Sequence, residues 1–279
     1  MNTLKLGYSP CPNDTFIFYA MIHGKIETGN LNFNEILLDV EDLNRKALNT
    51  ELDLSKVSYN VFGRVSGEYL FLRSGGALGR GCGPLLIAKE RYSIDELKGK
   101  KIAVPGIHTT AYLLLQLLNP SLVRQSSIHP MPFNEIIKSV TNGAVDAGLI
   151  IHESRFTYAL HGLSKIVDLG EWWEGETGLP IPLGGIIARR SLGDVIARKI
   201  NTIIRSSIAY ASSNRSEPME YIQQYSQELS PDIINQHINL YVNDFSINIG
   251  DDGEKAAREL LMRAADEGII QKVKRSIFI

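Results

Sequence analysis

Leu4-Lys5-Leu6-Gly7-Tyr8-Ser9-Pro10-Cys11-Pro12-Asn13-Asp14-Thr15-Phe16-Ile17-Phe18-Tyr19-Ala20-Met21-Ile22-His23 changes its period halfway along. Leu4, Leu6 and Tyr8 alternate, which predicts a strand. The two prolines and the Asn-Asp pair then break it. Asn13 or Asp14 is placed to cap a helix from about Thr15 to His23, with Gly24 as its stop. A strand that turns directly into a helix is the repeating unit of a largely parallel α/β sheet.

The unit recurs along the chain. Residues 31–40 read as a strand and 42–50 as a short helix with Leu43, Ala47 and Leu48 on one face. Leu52-Asp53-Leu54 then leads into Ser55-Lys56-Val57-Ser58-Tyr59. Residues 74–83 hold five glycines, too irregular for a dinucleotide fingerprint and not followed by a capped helix, so they predict a flexible or close-approach loop. Strands are expected at Leu85–Lys89 and Lys101–Val104. Ser93 is expected to cap a short helix, Ile94–Lys98, between them, and Ala111–Leu118 to form an apolar helix after Thr110. A helix over residues 133–140 precedes the buried strand Val145–Ile151, which stops at His152-Glu153-Ser154. Further strands fall at about 165–169 and 183–188.

From Gly193 the pattern is almost wholly helical. Ile196, Ile200, Ile203 and Ile204 share a face, and Ser216 and Ser230 stand as N-caps ahead of Pro218 and Pro231. Lys255–Glu267 is the closing helix, stopped by Gly268. The α/β pattern restarts after residues 85–89, and the helical tail begins after 183–188. This predicts one lobe from residues 1–87 plus 188–279 and another from 88–187, with a two-strand hinge and a ligand cleft between them.

Composition narrows the function classes. Across 279 residues the net charge is -2, with 44% hydrophobic and 22% charged residues, an ordinary globular balance without an electrostatic footprint for nucleic acid or anionic membrane. Cys11 and Cys82 make neither a disulfide framework nor a zinc spacing, which fits reduced thiols in a cytosolic protein. No apolar run reaches the roughly 18 residues of a membrane span. The first residues lack a basic stretch followed by a long apolar one, so the expected location is cytoplasmic. No partner beyond a small molecule is implied, and no oligomeric state.

Open α/β sheets bind ligands at the carboxyl ends of their strands. The polar segments there are 9–15, 55–59, 106–110 and 152–154. The starts of the helices after residues 9–15 and at Thr109-Thr110 can take an anion, or Asn13 and Thr109 can be plain caps. Lys56 can pair with an anionic ligand or be a solvated surface lysine. His152 follows an apolar strand directly. An imidazole, with its unperturbed pKa of about 6.5, suits a general base there as well as it suits a hydrogen-bonded structural histidine. His108 lies in a candidate binding loop, whereas His23, His129, His161 and His237 read as surface or helix-end residues. No Gly-x-Ser-x-Gly elbow or Walker loop occurs.

Ser9-Pro10-Cys11-Pro12-Asn13-Asp14-Thr15-Phe16-Ile17-Phe18 resembles the opening motif of the 1,4-dihydroxy-6-naphthoate synthases of the futalosine route to menaquinone. Ser55-Lys56-Val57-Ser58, Gly106-Ile107-His108-Thr109-Thr110-Ala111 and Gly148-Leu149-Ile150-Ile151-His152-Glu153 extend the resemblance in order over essentially the whole chain. It implies a two-lobed, periplasmic-binding-protein-like α/β fold in a cytoplasmic lyase without a metal or organic cofactor. The implied reaction converts cyclic dehypoxanthinyl futalosine, a small carboxylate, to 1,4-dihydroxy-6-naphthoate with release of a three-carbon fragment, dihydroxyacetone. By the same resemblance His152 is the proton acceptor, and Lys56, Val57, Ser58, Thr109 and Thr110, with Asn13 and Asp14 of the opening motif, bind the substrate. The competing readings are a chorismate dehydratase of the same pathway and fold, and a non-catalytic binding protein for a small carboxylate. A missing export signal and a candidate base weigh against the latter.

Overall fold

The computed structural model describes residues 2–226 and 230–279. The chain forms two compact units, residues up to Gly79 together with Pro182–Ile279, and Arg80–Ile181. Five strands precede the first passage: β1 (Asn2–Tyr8), β2 (Leu31–Leu37), β3 (Leu54–Ser58), β4 (Tyr69–Phe71) and β5 (Ala77–Gly79). Five follow it: β6 (Leu85–Ala88), β7 (Lys101–Val104), β8 (Ser127–Pro130), β9 (Ala147–Ile150) and β10 (Ser164–Asp168). The last, β11 (Ile181–Arg189), brings the chain back.

The sheet of the first unit runs β2-β1-β3-β11-β4, with β5 also on β11. β1 is parallel to β2 and β3, whereas β11 is antiparallel to β3 and β4. One face packs Leu4, Leu6, Tyr8, Leu54 and Ile186 against Ile17, Phe18 and Met21 of the helix Pro12–Ile22 and Ile200, Ile203, Ile204 and Ile208 of the helix Asp194–Ser213. The isoleucine face expected in that long helix is the one buried, and each such side chain stabilises by roughly 1.5–3 kcal/mol. Ser207, buried among them, donates to Ile17 O at 2.6 Å and accepts from Met21 N at 3.3 Å, which satisfies its hydroxyl and ties the two helices together.

The second unit's sheet runs β10-β6-β9-β7-β8. β7 is parallel to β8 and β9, and β6 is antiparallel to β9 and β10. The sheets are therefore mixed, because β6 and β11 run against their neighbours. Leu85, Ile87, Ala103 and Ile150 form a core with Ile136 and Val140 of the helix Phe133–Thr141.

The passages fall at 79/80 and 181/182, not at 87/88 and 187/188. A strand goes with the sheet that takes its backbone hydrogen bonds. Leu85–Ala88 pairs with β9 and β10, while Gly184–Ala188 pairs with β3. Residues 171–182, which no sequence pattern assigns, begin in the helix Leu169–Thr177. Trp173 is buried there and donates its Nε1–H to Pro180 O at 3.0 Å. Ser230 and Pro231 open the helix Pro231–Tyr241 as expected, but the helix Met219–Tyr225 has Pro218, not Ser216, at its N-cap. The closing helix is longer than its periodicity suggests, Gly250–Asp266. Gly268 at φ 69° ends it, with Gly268 N on Ala265 O and Ile269 N on Ala264 O.

In the 74–83 loop Gly83 makes a close backbone-to-backbone approach. A Cβ on Gly83 would lie 2.2 Å from Gly170 N and 2.4 Å from Gly170 Cα. Gly83→Ala is expected to lower the stability of the protein by about 2–4 kcal/mol, as overpacking against immobile backbone does. Gly67→Ala, where nothing lies within 4 Å, is expected to stay within about 0.5 kcal/mol of wild type. Urea unfolding of the two variants side by side checks this, and equal midpoints would refute the close approach.

Candidate functional site

In the first unit β1 and β3 pair in parallel, Leu6 opposite Leu54 and Gly7 opposite Ser55. The turn after Tyr8 and the end of β3 therefore leave from one edge of the sheet. The helix after that turn starts earlier than the sequence pattern suggests. Its N-cap is Cys11, and Pro12, whose fixed φ suits the first helical position, begins it. Asn13 and Asp14 are thus not caps but first-turn residues, with their side chains turned to other work.

Asp14, 2% exposed, is the hub of this edge. Its Oδ2 accepts from Ser9 N at 3.2 Å and Ser9 Oγ at 2.8 Å. Its Oδ1 accepts from Asn13 Nδ2 at 2.9 Å and from Lys56 Nζ at 2.7 Å. Lys56, 5% exposed, is no solvated surface lysine; it also donates to Gly75 O at 3.2 Å. A buried ion pair holds only when the remaining lone pairs and protons are satisfied, and here the carboxylate is. Val57 points to the opposite face and is fully buried. Ser58 is clamped by Asn44, whose Oδ1 accepts from Ser58 N at 2.9 Å and whose Nδ2 donates to Ser58 Oγ at 3.1 Å.

A second buried cluster holds the exit of β1. The hydroxyls of Tyr8 and Tyr221 both donate to Glu35 Oε2, the latter at 2.7 Å, and the two phenol oxygens are 2.6 Å apart. Burial pushes both phenols well above their ordinary titration range.

In the second unit β7 and β9 are parallel neighbours, Ile102 opposite Ala147 and Ala103 opposite Gly148. The loops carrying Thr109-Thr110 and His152 therefore leave from one edge. Thr109 is the N-cap of the helix Thr110–Leu118: its Oγ1 accepts from Tyr112 N at 3.2 Å and donates to Gly106 O at 2.8 Å. Its one hydroxyl proton is thus used within the protein. Thr110 follows as the first helical residue and is buried.

His152 has φ 56°, in the left-handed region that a non-glycine residue enters only at a cost. The reversal swings the half-buried imidazole out of the line of β9, and the ring packs edge-on against Phe133, centroids 4.9 Å apart at 61°. Phe133 opens the helix after β8, and sequence spacing has no means of pairing it with His152. Behind the loop, Arg155 bridges to Asp168 at 2.8 Å, and Asp168 caps the helix Leu169–Thr177 through Gly170 N at 2.8 Å.

Of the other histidines, His237 is not at the surface as expected: it is 1% exposed, edge-on to Tyr241 in the helix Pro231–Tyr241. Cys11 and Cys82 are buried and form no disulfide. Burial pushes the Cys82 thiol up to about 12 from an ordinary value of 9.0.

Two mixed α/β sheets, each with polar groups at the carboxyl edge of its parallel strands, define a periplasmic-binding-protein-like class of fold. A Candida albicans protein described as having the generic periplasmic binding protein fold superposes with a TM-score of 0.69 at 16% identity, over 100% of this chain and 96% of its own. A crystal structure of an Archaeoglobus fulgidus protein superposes with a TM-score of 0.90 at 38% identity, over 96% of this chain and 98% of its own. In sequence, the 1,4-dihydroxy-6-naphthoate synthase of Thermus thermophilus is 47% identical over 279 residues, all of both chains. That of Streptomyces coelicolor is 46% identical over 271 residues, 96% of this chain and 95% of its own. The profile of the menaquinone biosynthesis family matches residues 4–266, and the chain belongs to that family.

Lys56→Met leaves the Asp14 carboxylate buried without its counter-ion and is expected to cost about 3–5 kcal/mol in chemical denaturation. Thr109→Val removes a cap and is expected to cost about 1 kcal/mol. Cys82, protonated in the folded state at neutral pH, is expected to resist iodoacetamide until the protein is unfolded. Because its folded pKa lies above the unfolded one, stability is full below about pH 9 and falls as pH rises from there towards 12. Rapid alkylation of Cys82 in the native protein would contradict its burial.

Proposed function

We propose that the chain is a carbon–carbon lyase that converts cyclic dehypoxanthinyl futalosine to 1,4-dihydroxy-6-naphthoate, releasing dihydroxyacetone, in menaquinone biosynthesis. The observation that carries this reading is the 47% identity to the Thermus thermophilus enzyme over the full length of both chains. A cytoplasmic location goes with it.

The chemistry of the two edges supports the assignment of roles. Forming an aromatic diol by fragmentation needs a proton taken from carbon while negative charge develops on oxygen. His152 takes the proton, since a neutral imidazole with a fixed ring can act as a general base. Phe133 and the left-handed backbone hold that ring. Lys56 has three N–H groups and uses two on Asp14 and Gly75. The third, with the Ser58 hydroxyl proton, stabilises the developing oxyanion. Val57 contributes by holding the tip of β3 in register.

The substrate carboxylate goes to the start of the helix Thr110–Leu118, where the first-turn N–H groups and the helix dipole favour an anion. Thr110 makes the side-chain contact. Thr109, its proton already given to Gly106 O, shapes the helix start instead.

Incubating the pure protein with cyclic dehypoxanthinyl futalosine and, separately, with chorismate tests the reading by product mass. Only the former is expected to be consumed. Turnover of chorismate would make the protein a dehydratase, and binding without turnover of either would make it a receptor. In the active enzyme His152→Asn is expected to lower turnover about 10²–10⁴-fold with little change in affinity for the product. Near-normal turnover in a folded His152→Asn would overturn the proton-acceptor role. Thr110→Val is expected to weaken binding of the carboxylate product by about 1.5–3 kcal/mol, the worth of one hydrogen bond to a charged group. The decarboxylated compound should not distinguish the two proteins in the same titration.

A further inference from the structure

Asn13 is 5% exposed in the first turn of the helix Pro12–Ile22. Asp14 decides which way round its amide sits. Nδ2 donates to Asp14 Oδ1 at 2.9 Å. A carboxylate oxygen only accepts, so an amide turned by half a rotation would set oxygen against oxygen. Asn13 Oδ1 is therefore directed away from Asp14. It is wholly buried, and no protein donor among the described residues reaches it. A buried amide oxygen in that state keeps its full desolvation cost until a donor arrives.

Lys56 donates to the same oxygen of Asp14, at 2.7 Å, and to Gly75 O at 3.2 Å. An ammonium has three N–H groups, so one is left. Around a single carboxylate oxygen the protein thus sets one acceptor without a donor and one donor without an acceptor. A hydroxyl answers Asn13 Oδ1 by giving it a proton. A carboxylate answers Lys56 but is repelled by Asn13 Oδ1.

The geometry points to Asn13 as a specificity-determining residue that accepts a hydrogen bond from a hydroxyl of the substrate, in the portion that leaves as the three-carbon fragment. By the same contact it keeps the carboxylate end of the substrate away from this edge. The inference rests on the proposed lyase reaction for the identity of the hydroxyl, and on Asn13 and Asp14 alone for the preference.

The test uses product inhibition of the full-length protein. Dihydroxyacetone, which has two hydroxyls, is expected to inhibit the wild type, and acetone, which has none, to leave turnover unchanged at the same concentration. Asn13→Ala is expected to raise the inhibition constant of dihydroxyacetone about tenfold while that of 1,4-dihydroxy-6-naphthoate stays within twofold. Asn13→Ser, which keeps a donor for Asp14 but withdraws the amide oxygen, is expected to show the same selective loss. Ser9→Ala removes a donor from Asp14 without removing an acceptor and is expected to change the ratio of the two constants by less than twofold. Equal inhibition by acetone, an unchanged constant for dihydroxyacetone in Asn13→Ala, or the same selective loss in Ser9→Ala would each overturn the inference. The wild-type comparison stands if Asn13→Ala does not fold. A wild type that forms no 1,4-dihydroxy-6-naphthoate would sink the lyase reading instead. Saturation-transfer NMR with dihydroxyacetone and acetone on the wild type and Asn13→Ser would then decide the hydroxyl preference alone.

Discussion

The contact between Lys56 and Asp14 is where the first unit's chemistry and its architecture meet. It joins the turn after β1 to the end of β3, strands that are already parallel neighbours. Two charges removed from water are tolerable only if nearly every lone pair finds a donor. That requirement recruits Ser9 through its N–H and hydroxyl and Asn13 through its amide. Ser9, Asn13, Asp14 and Lys56 are thus fixed by one another, and the orientation of the Asn13 amide follows from the same demand. The cluster of Tyr8, Tyr221 and Glu35, one residue upstream, holds the strand from which the turn departs.

The second unit reaches a similar arrangement by different means. Parallel pairing of β7 and β9 sends Thr109-Thr110 and His152 out of one edge. Thr109 sets the start of the helix with two hydrogen bonds, and a left-handed residue with a phenylalanine ring beside it sets the imidazole. Strain at a residue that also carries a candidate catalytic group is a recurrent feature of active sites, because the surrounding structure must over-determine its conformation. Here Arg155, three residues on, pairs with Asp168 and donates to Gly83 O, which ties the chain after His152 to the segments that meet at Gly83 and Gly170.

Both cores are apolar and conventional, and both sets of candidate residues lie at strand ends. Polar groups at the carboxyl edge of a parallel pair lie outside the apolar cores and can differ from one protein to another of the same fold, so one fold can serve more than one function. Membership of the menaquinone biosynthesis family, and not the fold, is what narrows the function.

The period changes along the chain were enough for the alternation of strands and helices, for the isoleucine face of the helix Asp194–Ser213 and for the strand ends as the place of the chemistry. Those features depend on neighbours within about four residues. The opening motif and the His-Glu strand end likewise announced their importance locally. What lay beyond the sequence depends on contacts between residues far apart in it. β6 and β11 looked like ordinary strands, and only their hydrogen-bond partners show to which sheet each belongs. Asn13 and Asp14 had the composition of caps, but Pro12 starts the helix ahead of them and frees their side chains. Lys56 reads in sequence as a partner for an anionic ligand or as a surface lysine, and its ion pair with Asp14 joins positions 42 residues apart. Phe133 against His152 and Asn44 against Ser58 are likewise pairings of distant positions. Local sequence determines which dihedral angles and which faces a segment prefers. Which polar groups are buried together, and so must satisfy one another, is decided only when the strands pair.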